Sequence, residues 1–117
     1  MAKEILVVDD DFDDLELTKG ILEGSGYAVN TVPNGAEALD ILGDKAFDLI
    51  LLDIQMPTLS GYDLLRIMRE KINHNAKMVY ISIVPKKDVV IDEVDGFVQK
   101  PFSKESLLNV VKQALGE

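Results

Sequence analysis

The chain contains no cysteine and no tryptophan, and it has a single histidine among 117 residues. The absence of cysteine excludes disulfides, thiolate metal sites and thiol nucleophiles. A single histidine excludes a zinc site built from several imidazole groups. The sequence also has no apolar run of about 18 residues, so it does not predict a transmembrane helix.

Positive charge is scarce as well. Twelve lysines and arginines face 21 aspartates and glutamates, which gives a formal net charge of −9. Such a chain repels nucleic acid and anionic lipid, so we expect neither as a direct partner. No signal sequence precedes the first apolar segment, and we expect a cytoplasmic location. The length and the 47% apolar content fit one domain over residues 1–117.

The most informative stretch is an apolar run in the middle of the chain. Residues 49–52 are Leu-Ile-Leu-Leu, and they lie between Asp48 and Asp53. An uninterrupted apolar run of this length is typical of a strand that is buried on both faces in a parallel sheet. Pro57 prevents this strand from extending further. Asp53 is therefore expected at the carboxyl end of a central strand, where ligands bind in open α/β sheets.

Strand and helix patterns alternate along the whole chain. We expect strands at 4–8, 27–32, 48–53, 77–82 and 97–100, and helices at 13–23, 36–42, 62–71, 87–94 and after Ser103. This alternation predicts an α/β fold with a doubly wound five-stranded parallel sheet and helices on both faces. We expect the flavodoxin-like strand order 2-1-3-4-5. The fourth helix, at 87–94, is expected to be shortened, because residues 89–91 are consecutive β-branched residues.

Polar residues follow the predicted strands at one edge of this sheet. Asp9 and Asp10 end the first strand, Asp53 the third, Ser82 the fourth and Lys100 the fifth. Neighbouring strands lie about 4.8 Å apart, so these side chains fit a site roughly 15 Å across. Three carboxylates this close repel one another unless a cation lies among them. Hard oxygen ligands at an open edge favour Mg²⁺, for which Mn²⁺ can substitute.

A cation and a lysine beside one carboxylate suit phosphoryl transfer, which depends on positioning and charge neutralisation. Asp53 would act as the nucleophile and form an aspartyl phosphate. A lysine ion pair that replaced the cation would count against this interpretation.

These motifs together resemble the receiver domains of response regulators in two-component signalling, the CheY-like family. The matching residues are Val7-Val8-Asp9-Asp10-Asp11, Leu51-Leu52-Asp53-Ile54-Gln55-Met56-Pro57 with Gly61, Ile81-Ser82, and Lys100-Pro101-Phe102. Each motif alone is weak, but all four occur in the family's order and extend over the whole chain.

The resemblance implies that Asp53 accepts a phosphoryl group from a histidine kinase or phosphotransfer protein. Asp10, Asp53 and the backbone carbonyl of Gln55 would hold Mg²⁺, and Asp9 would act through water. Such a domain is not a classical enzyme, although it assists its own phosphorylation and dephosphorylation. It changes its surface for a downstream target protein.

The resemblance also implies how the phosphoryl oxygens would be bound. Lys100 would use its ammonium group and Ser82 its hydroxyl group, and the backbone N–H groups of Ile54 and Ile83 would assist. As Ser82 moves, Phe97 would turn inward and alter the surface from about residue 85 to 106. The bond before Pro101 is expected to be cis.

Some features depart from the family pattern. The interval between Ser82 and Lys100 is short by about one helical turn, and Ile83 is bulky for its position. They leave open an alternative, a non-phosphorylated pseudo-receiver that acts as a protein-interaction module. Because Gln55 and Val84 cannot activate water, we expect slow self-dephosphorylation if Asp53 is phosphorylated.

Two rival functions lack the residues that they need. A phosphatase of the haloacid-dehalogenase kind needs a second acid two residues after the nucleophile, where this chain has Gln55. A flavodoxin-like electron carrier needs a hydroxyl- and glycine-rich loop after the first strand, where this chain has three aspartates. Ser82 could be an ordinary strand-end hydroxyl, and Phe97 a core aromatic. We expect His74 to be a solvated loop residue, and residues 13–14, both aspartates, to form a solvated helix start.

Overall fold

The computed structural model describes residues 2–56, 60–71, 75–89 and 94–117. Its five strands are β1 Glu4–Val8, β2 Ala28–Val32, β3 Leu49–Asp53, β4 Lys77–Ser82 and β5 Gly96–Gln99. Its α-helices are α1 Phe12–Gly24, α2 Gly35–Asp44, α3 Gly61–Lys71 and α4 Lys104–Leu115. All strand pairs are parallel and the sheet order is β2-β1-β3-β4-β5, which confirms the predicted fold class.

The central strand is buried along its whole length, as its apolar run predicts. All five residues of β3 are buried. Alternate residues of the strands point to opposite faces of the sheet, so two apolar layers form. Leu6, Ile50 and Tyr80 belong to the layer that packs with residues of α2 and α3. Val7 and Leu51 belong to the layer that packs with α1 and α4.

Side chains that accept hydrogen bonds from free N–H groups begin three of the helices. The Asp11 carboxylate accepts from the backbone N–H of Asp14 at the start of α1. Asn34 does the same for α2. Ser103 caps α4 in a reciprocal capping box with Ser106, which confirms it as the predicted N-cap. Such caps satisfy backbone donors that have no partner within a helix.

The described part of the connection between β4 and β5 contains no α-helix. It contains a single 3₁₀ turn, Lys86–Asp88, and Val89 after it is buried. Residues 90–93, half of the predicted fourth helix at 87–94, lie outside the described residues. So do Pro57, the predicted strand terminator, and His74, the predicted solvated loop residue. Among the described helices, none has the length and hydropathy needed to cross a membrane.

Candidate functional site

The carboxyl ends of β1, β3, β4 and β5 bring the predicted polar residues to one edge of the sheet. Asp9 and Asp10 directly follow β1, Asp53 is the last residue of β3, and Ser82 is the last residue of β4. Lys100 directly follows β5. The parallel register aligns these ends, since Asp53 pairs with Ile81 and Ser82 with Gln99.

Three carboxylates form a cluster at this edge. One oxygen atom from each of Asp9, Asp10 and Asp53 lies within 4.8 Å of the other two. Asp9 and Asp53 are 1% and 5% exposed, whereas Asp10 faces solvent. Asp9 Oδ1 accepts from the Asp11 backbone N–H, and Asp53 Oδ1 accepts from the Gln55 backbone N–H, both at 3.0 Å. These backbone bonds fix the orientation of the two buried carboxylates.

Lys100 is the cation that faces this cluster. Its Nζ lies 2.8 Å from Asp9 Oδ2 and 2.9 Å from Asp14 Oδ2, but 3.6 Å from Asp53 Oδ2. Its side chain is 9% exposed. The expectation that Asp14 is merely solvated is therefore wrong, because its carboxylate pairs with a buried lysine. Asp13, its neighbour, is exposed as expected.

A lysine ion pair in place of the cation would count against phosphoryl transfer at this site, so the partners of Lys100 decide whether a cation can still bind. Lys100 does contact the cluster, and its closest partners are Asp9 and Asp14. Asp10 forms no ion pair within the described part of the chain. Lys100 therefore leaves the solvent-facing side of the cluster, where Asp10 lies, open to a cation.

Burial and like charge make Asp53 an unusual carboxyl group. Burial raises the pKa of Asp53, and the nearby charge of Asp9 and a hydrogen bond with it raise the pKa further, to about 7. The Lys100 charge and the backbone N–H of Gln55 act in the opposite direction. Such a carboxylate is destabilised without a further positive charge, and this favours cation binding.

The same surroundings that disfavour the charged form of Asp53 favour the charged form of Lys100. Burial lowers the pKa of Lys100, but the hydrogen bonds to Asp9 and Asp14 and the charges of Asp53 and Asp9 outweigh burial. The pKa of Lys100 is therefore above its ordinary value, and the side chain is an ammonium ion at neutral pH.

Ser82 is completely buried beside this cluster. Its Oγ accepts a hydrogen bond from the backbone N–H of Val84 at 3.0 Å. Gln99 holds the same loop, because its side-chain amide donates to the carbonyl oxygens of Ser82, Ile83 and Lys100 at 3.0–3.2 Å. The loop that carries Ser82 and the loop that carries Lys100 are thus joined by one side chain.

Phe97 and Pro101 lie on either side of Lys100 at the end of β5. The Phe97 ring is partly buried and packs against the apolar layer of Leu6, Ile50 and Tyr80. The peptide bond between Lys100 and Pro101 is cis, which confirms what the family resemblance implies. Ile83 is 65% exposed, so its bulky side chain points largely to solvent.

The donor set fits a small divalent cation. Asp9, Asp10 and Asp53 supply carboxylate oxygens, the ligands that Mg²⁺ prefers, and one of them faces water. Four carboxylates, those of Asp9, Asp10, Asp14 and Asp53, lie around the single ammonium group of Lys100, so negative charge is in excess at this edge. The fold and this edge define an α/β domain with a carboxylate cluster, a buried lysine and a buried hydroxyl group at the carboxyl ends of its parallel strands.

Comparison with known proteins identifies the class. The sequence model of the response regulator receiver domain matches residues 5–112, so this chain belongs to that family. The chain is 28% identical over 122 residues to the polar-differentiation response regulator DivK of Brucella anthropi, which covers 100% of this chain and 99% of DivK. It is 34% identical over 116 residues to the nisin biosynthesis regulatory protein NisR of Lactococcus lactis, which covers 96% of this chain and 50% of NisR.

Solved structures agree in fold. The response regulator TrrA from Thermotoga maritima, in complex with Mg²⁺ and BeF, is 35% identical with a TM-score of 0.83, over 96% of this chain and 98% of that one. Chemotaxis regulator CheY4 of Vibrio cholerae has a TM-score of 0.88 at 24% identity, over 97% and 99% of the two chains, and supports the fold alone.

Sequence reasoning missed two residues of this site, Asp14 and Gln99. For Asp14 a signal was present, because a helix that begins directly after β1 places its first turn at the same sheet edge as Asp9. For Gln99 no pattern indicated that an exposed amide would reach three carbonyl groups.

Proposed function

We propose that residues 1–117 form one phosphoacceptor domain in which Asp53 receives a phosphoryl group from a phosphohistidine of a kinase or phosphotransfer protein. An Asp53 carboxylate oxygen would attack phosphorus, and the phosphorus–nitrogen bond would break with its electron pair going to the imidazole. The observation that carries this proposal is the cluster of Asp9, Asp10 and Asp53 within 4.8 Å, with Lys100 beside it.

Asp10, Asp53 and the Gln55 carbonyl group would hold Mg²⁺, and Asp9 would assist through water. Mn²⁺ would substitute. When bound, the ion would neutralise negative charge on the cluster and on the incoming phosphoryl oxygens. The TrrA complex with Mg²⁺ and BeF supports this assignment by analogy.

The protein's own groups would bind the transferred phosphoryl oxygens. Lys100 lies 3.6 Å from Asp53 and carries a positive charge. The Ser82 hydroxyl group, which accepts from the Val84 N–H, would donate its own O–H to a phosphoryl oxygen. The backbone N–H groups of Ile54 and Ile83 would assist. Both Lys100 and Ser82 are buried, so little water competes for these bonds.

Movement of Ser82 would change the surface near β5. The Phe97 ring is partly buried and neighbours Tyr80 in the register of β4 and β5. As Ser82 moves toward Asp53, the ring would turn inward, and a downstream protein would recognise the altered surface. Phosphoryl transfer and recognition by the downstream protein would take place in the cytoplasm.

Phosphorylation with a small donor tests the proposal. The protein is incubated with acetyl phosphate and Mg²⁺, and intact mass is measured with and without a chelator. We expect the mass of one phosphoryl group to be added in wild type and in the control Asp40→Asn, a substitution of an exposed α2 aspartate. Asp53→Asn should abolish the addition. An unmodified wild type would instead favour the pseudo-receiver alternative.

A further inference from the structure

Asp14 is an acidic neighbour of Lys100 that lies outside the metal-type cluster. Its Oδ2 lies 2.9 Å from Lys100 Nζ, closer than the 3.6 Å between Lys100 and Asp53. The Asp14 side chain is 33% exposed. The Asp11 cap accepts the Asp14 backbone N–H at 3.0 Å, so this contact comes from an anchored helical residue.

The Lys100 ammonium group has three N–H donors, and the positions of the neighbouring oxygen atoms decide which acceptors these donors reach. Asp9 and Asp14 take the two short contacts. A phosphoryl group on Asp53 would carry further oxygens near the same ammonium and would compete for these donors. Asp9 lies in the carboxylate cluster, whereas Asp14 lies on α1, so Asp14 draws Lys100 toward the helix.

We infer that Asp14 is a positioning residue that holds Lys100 on the α1 side of the site and competes with the phosphoryl group for its ammonium. This inference rests on the proposed function. Loss of the Asp14 charge frees one ammonium donor for the phosphoryl group. The Asp14 charge therefore stabilises the unphosphorylated state relative to the phosphorylated state.

Asp13 provides a matched control. It carries the same charge in the same first turn of α1, so the two aspartates interact similarly with the helix dipole. Asp13 is exposed and forms no ion pair within the ranges that the structure describes. A difference between Asp14→Asn and Asp13→Asn therefore reports the contact with Lys100 and not the general loss of negative charge.

The test measures beryllofluoride affinity at saturating Mg²⁺, followed by the amide NMR signals of Ser82 and Ile83. We expect Asp14→Asn to bind about two- to fivefold more tightly than wild type, the effect of losing one partly exposed ion pair. Asp13→Asn should change the affinity less than about 1.5-fold. Equal effects of the two substitutions, or weaker binding by Asp14→Asn, would overturn the inference.

A second readout needs no phosphoryl analogue. In the metal-free protein, the side-chain ¹⁵N signal of Lys100 should shift in Asp14→Asn and stay in place in Asp13→Asn. An unchanged Lys100 signal in Asp14→Asn contradicts the inference. Failure of wild type to respond to Mg²⁺ with beryllofluoride contradicts the proposed function instead, so the two failures are distinguishable.

Discussion

Gly61 lies against the end of β3 and leaves no room for a side chain. A Cβ atom at Gly61 would lie 2.6 Å from the carbonyl oxygen of Asp53 and 3.0 Å from Cα of Ile54. The Gly61 N–H also donates to the Ile54 carbonyl oxygen at 3.1 Å. The start of α3 and the residue proposed to accept phosphate are therefore in direct backbone contact.

Gly61→Ala should consequently destabilise the protein by about 1–3 kcal/mol and weaken beryllofluoride binding, because the end of β3 must shift. Gly20→Ala is the control, since a Cβ atom there has no neighbour within 4 Å. In the middle of α1 it should stabilise the protein by about 0.5–1 kcal/mol. Urea denaturation measures both. Equal stability changes in the two variants would contradict this account.

Asp53→Asn should stabilise the metal-free protein in a pH-dependent way. The pKa of Asp53 is raised from 3.8 to about 7, so the cost of its buried charge is absent below pH 3.8 and complete above pH 7. The variant should be more stable than wild type by on the order of 1 kcal/mol at about pH 8.

The difference between Asp53→Asn and wild type should disappear as the pH falls toward 4, and urea midpoints at several pH values measure it. Mg²⁺ should stabilise wild type and have much less effect on Asp53→Asn. A constant stability difference across this pH range would mean that the Asp53 charge is not costly in the folded protein.

Gln99→Glu should loosen the two loops that carry Ser82 and Lys100. The amide that donates to three carbonyl oxygens would become a carboxylate that repels them. We expect a loss of about 1 kcal/mol in stability and faster amide hydrogen exchange at Val84 and Lys100. Gln113→Glu, an exposed substitution on α4 with the same charge change, should have neither effect. Matching exchange rates in the two variants would contradict a role for Gln99.

Tyr27 should make stability fall at high pH. Burial, the hydrogen bond to Glu117 and the Glu117 charge raise the pKa of Tyr27 from 10.0 to about 12. A raised pKa means that the unfolded chain loses this proton first, so the contribution is complete below pH 10 and is lost as the pH rises through 12.

Between about pH 9 and about pH 11.5, wild type should therefore lose more stability than Tyr27→Phe, as measured by urea denaturation. Glu117→Gln should lie between them, since it removes the charge but keeps an acceptor for the Tyr27 hydroxyl group. Parallel pH profiles of wild type and Tyr27→Phe would exclude this contribution.

The sequence was sufficient to predict the sheet and the edge at which the site lies. Continuous apolar runs are required where helices cover both faces, so residues 5–8 and 49–52 identified the central strands. The polar residues that directly follow them had to meet at one edge because all strands are parallel. The connection after β4 was harder to predict, since consecutive β-branched residues oppose a helix without specifying what replaces it.

The pairing within the site could not be predicted from sequence. Asp13 and Asp14 are neighbours of the same type, and only the rotation of α1 decides which one faces Lys100. Likewise, the Ser82 hydroxyl group was expected as a ligand, but its contact with Val84 depends on the backbone of the loop. Such contacts arise from tertiary packing and have no periodic signature.

The complete burial of β3 has a consequence for how a signal could travel. Leu49 to Asp53 are enclosed by apolar layers on both sides and by strands at both edges, so the strand has no free direction in which to shift. A rearrangement that begins at Asp53 would therefore pass to the segments that meet its carboxyl end, which are the loops after β4 and β5 and the start of α3. We expect a partner that recognises the phosphorylated domain to contact this edge of the sheet and not the opposite end.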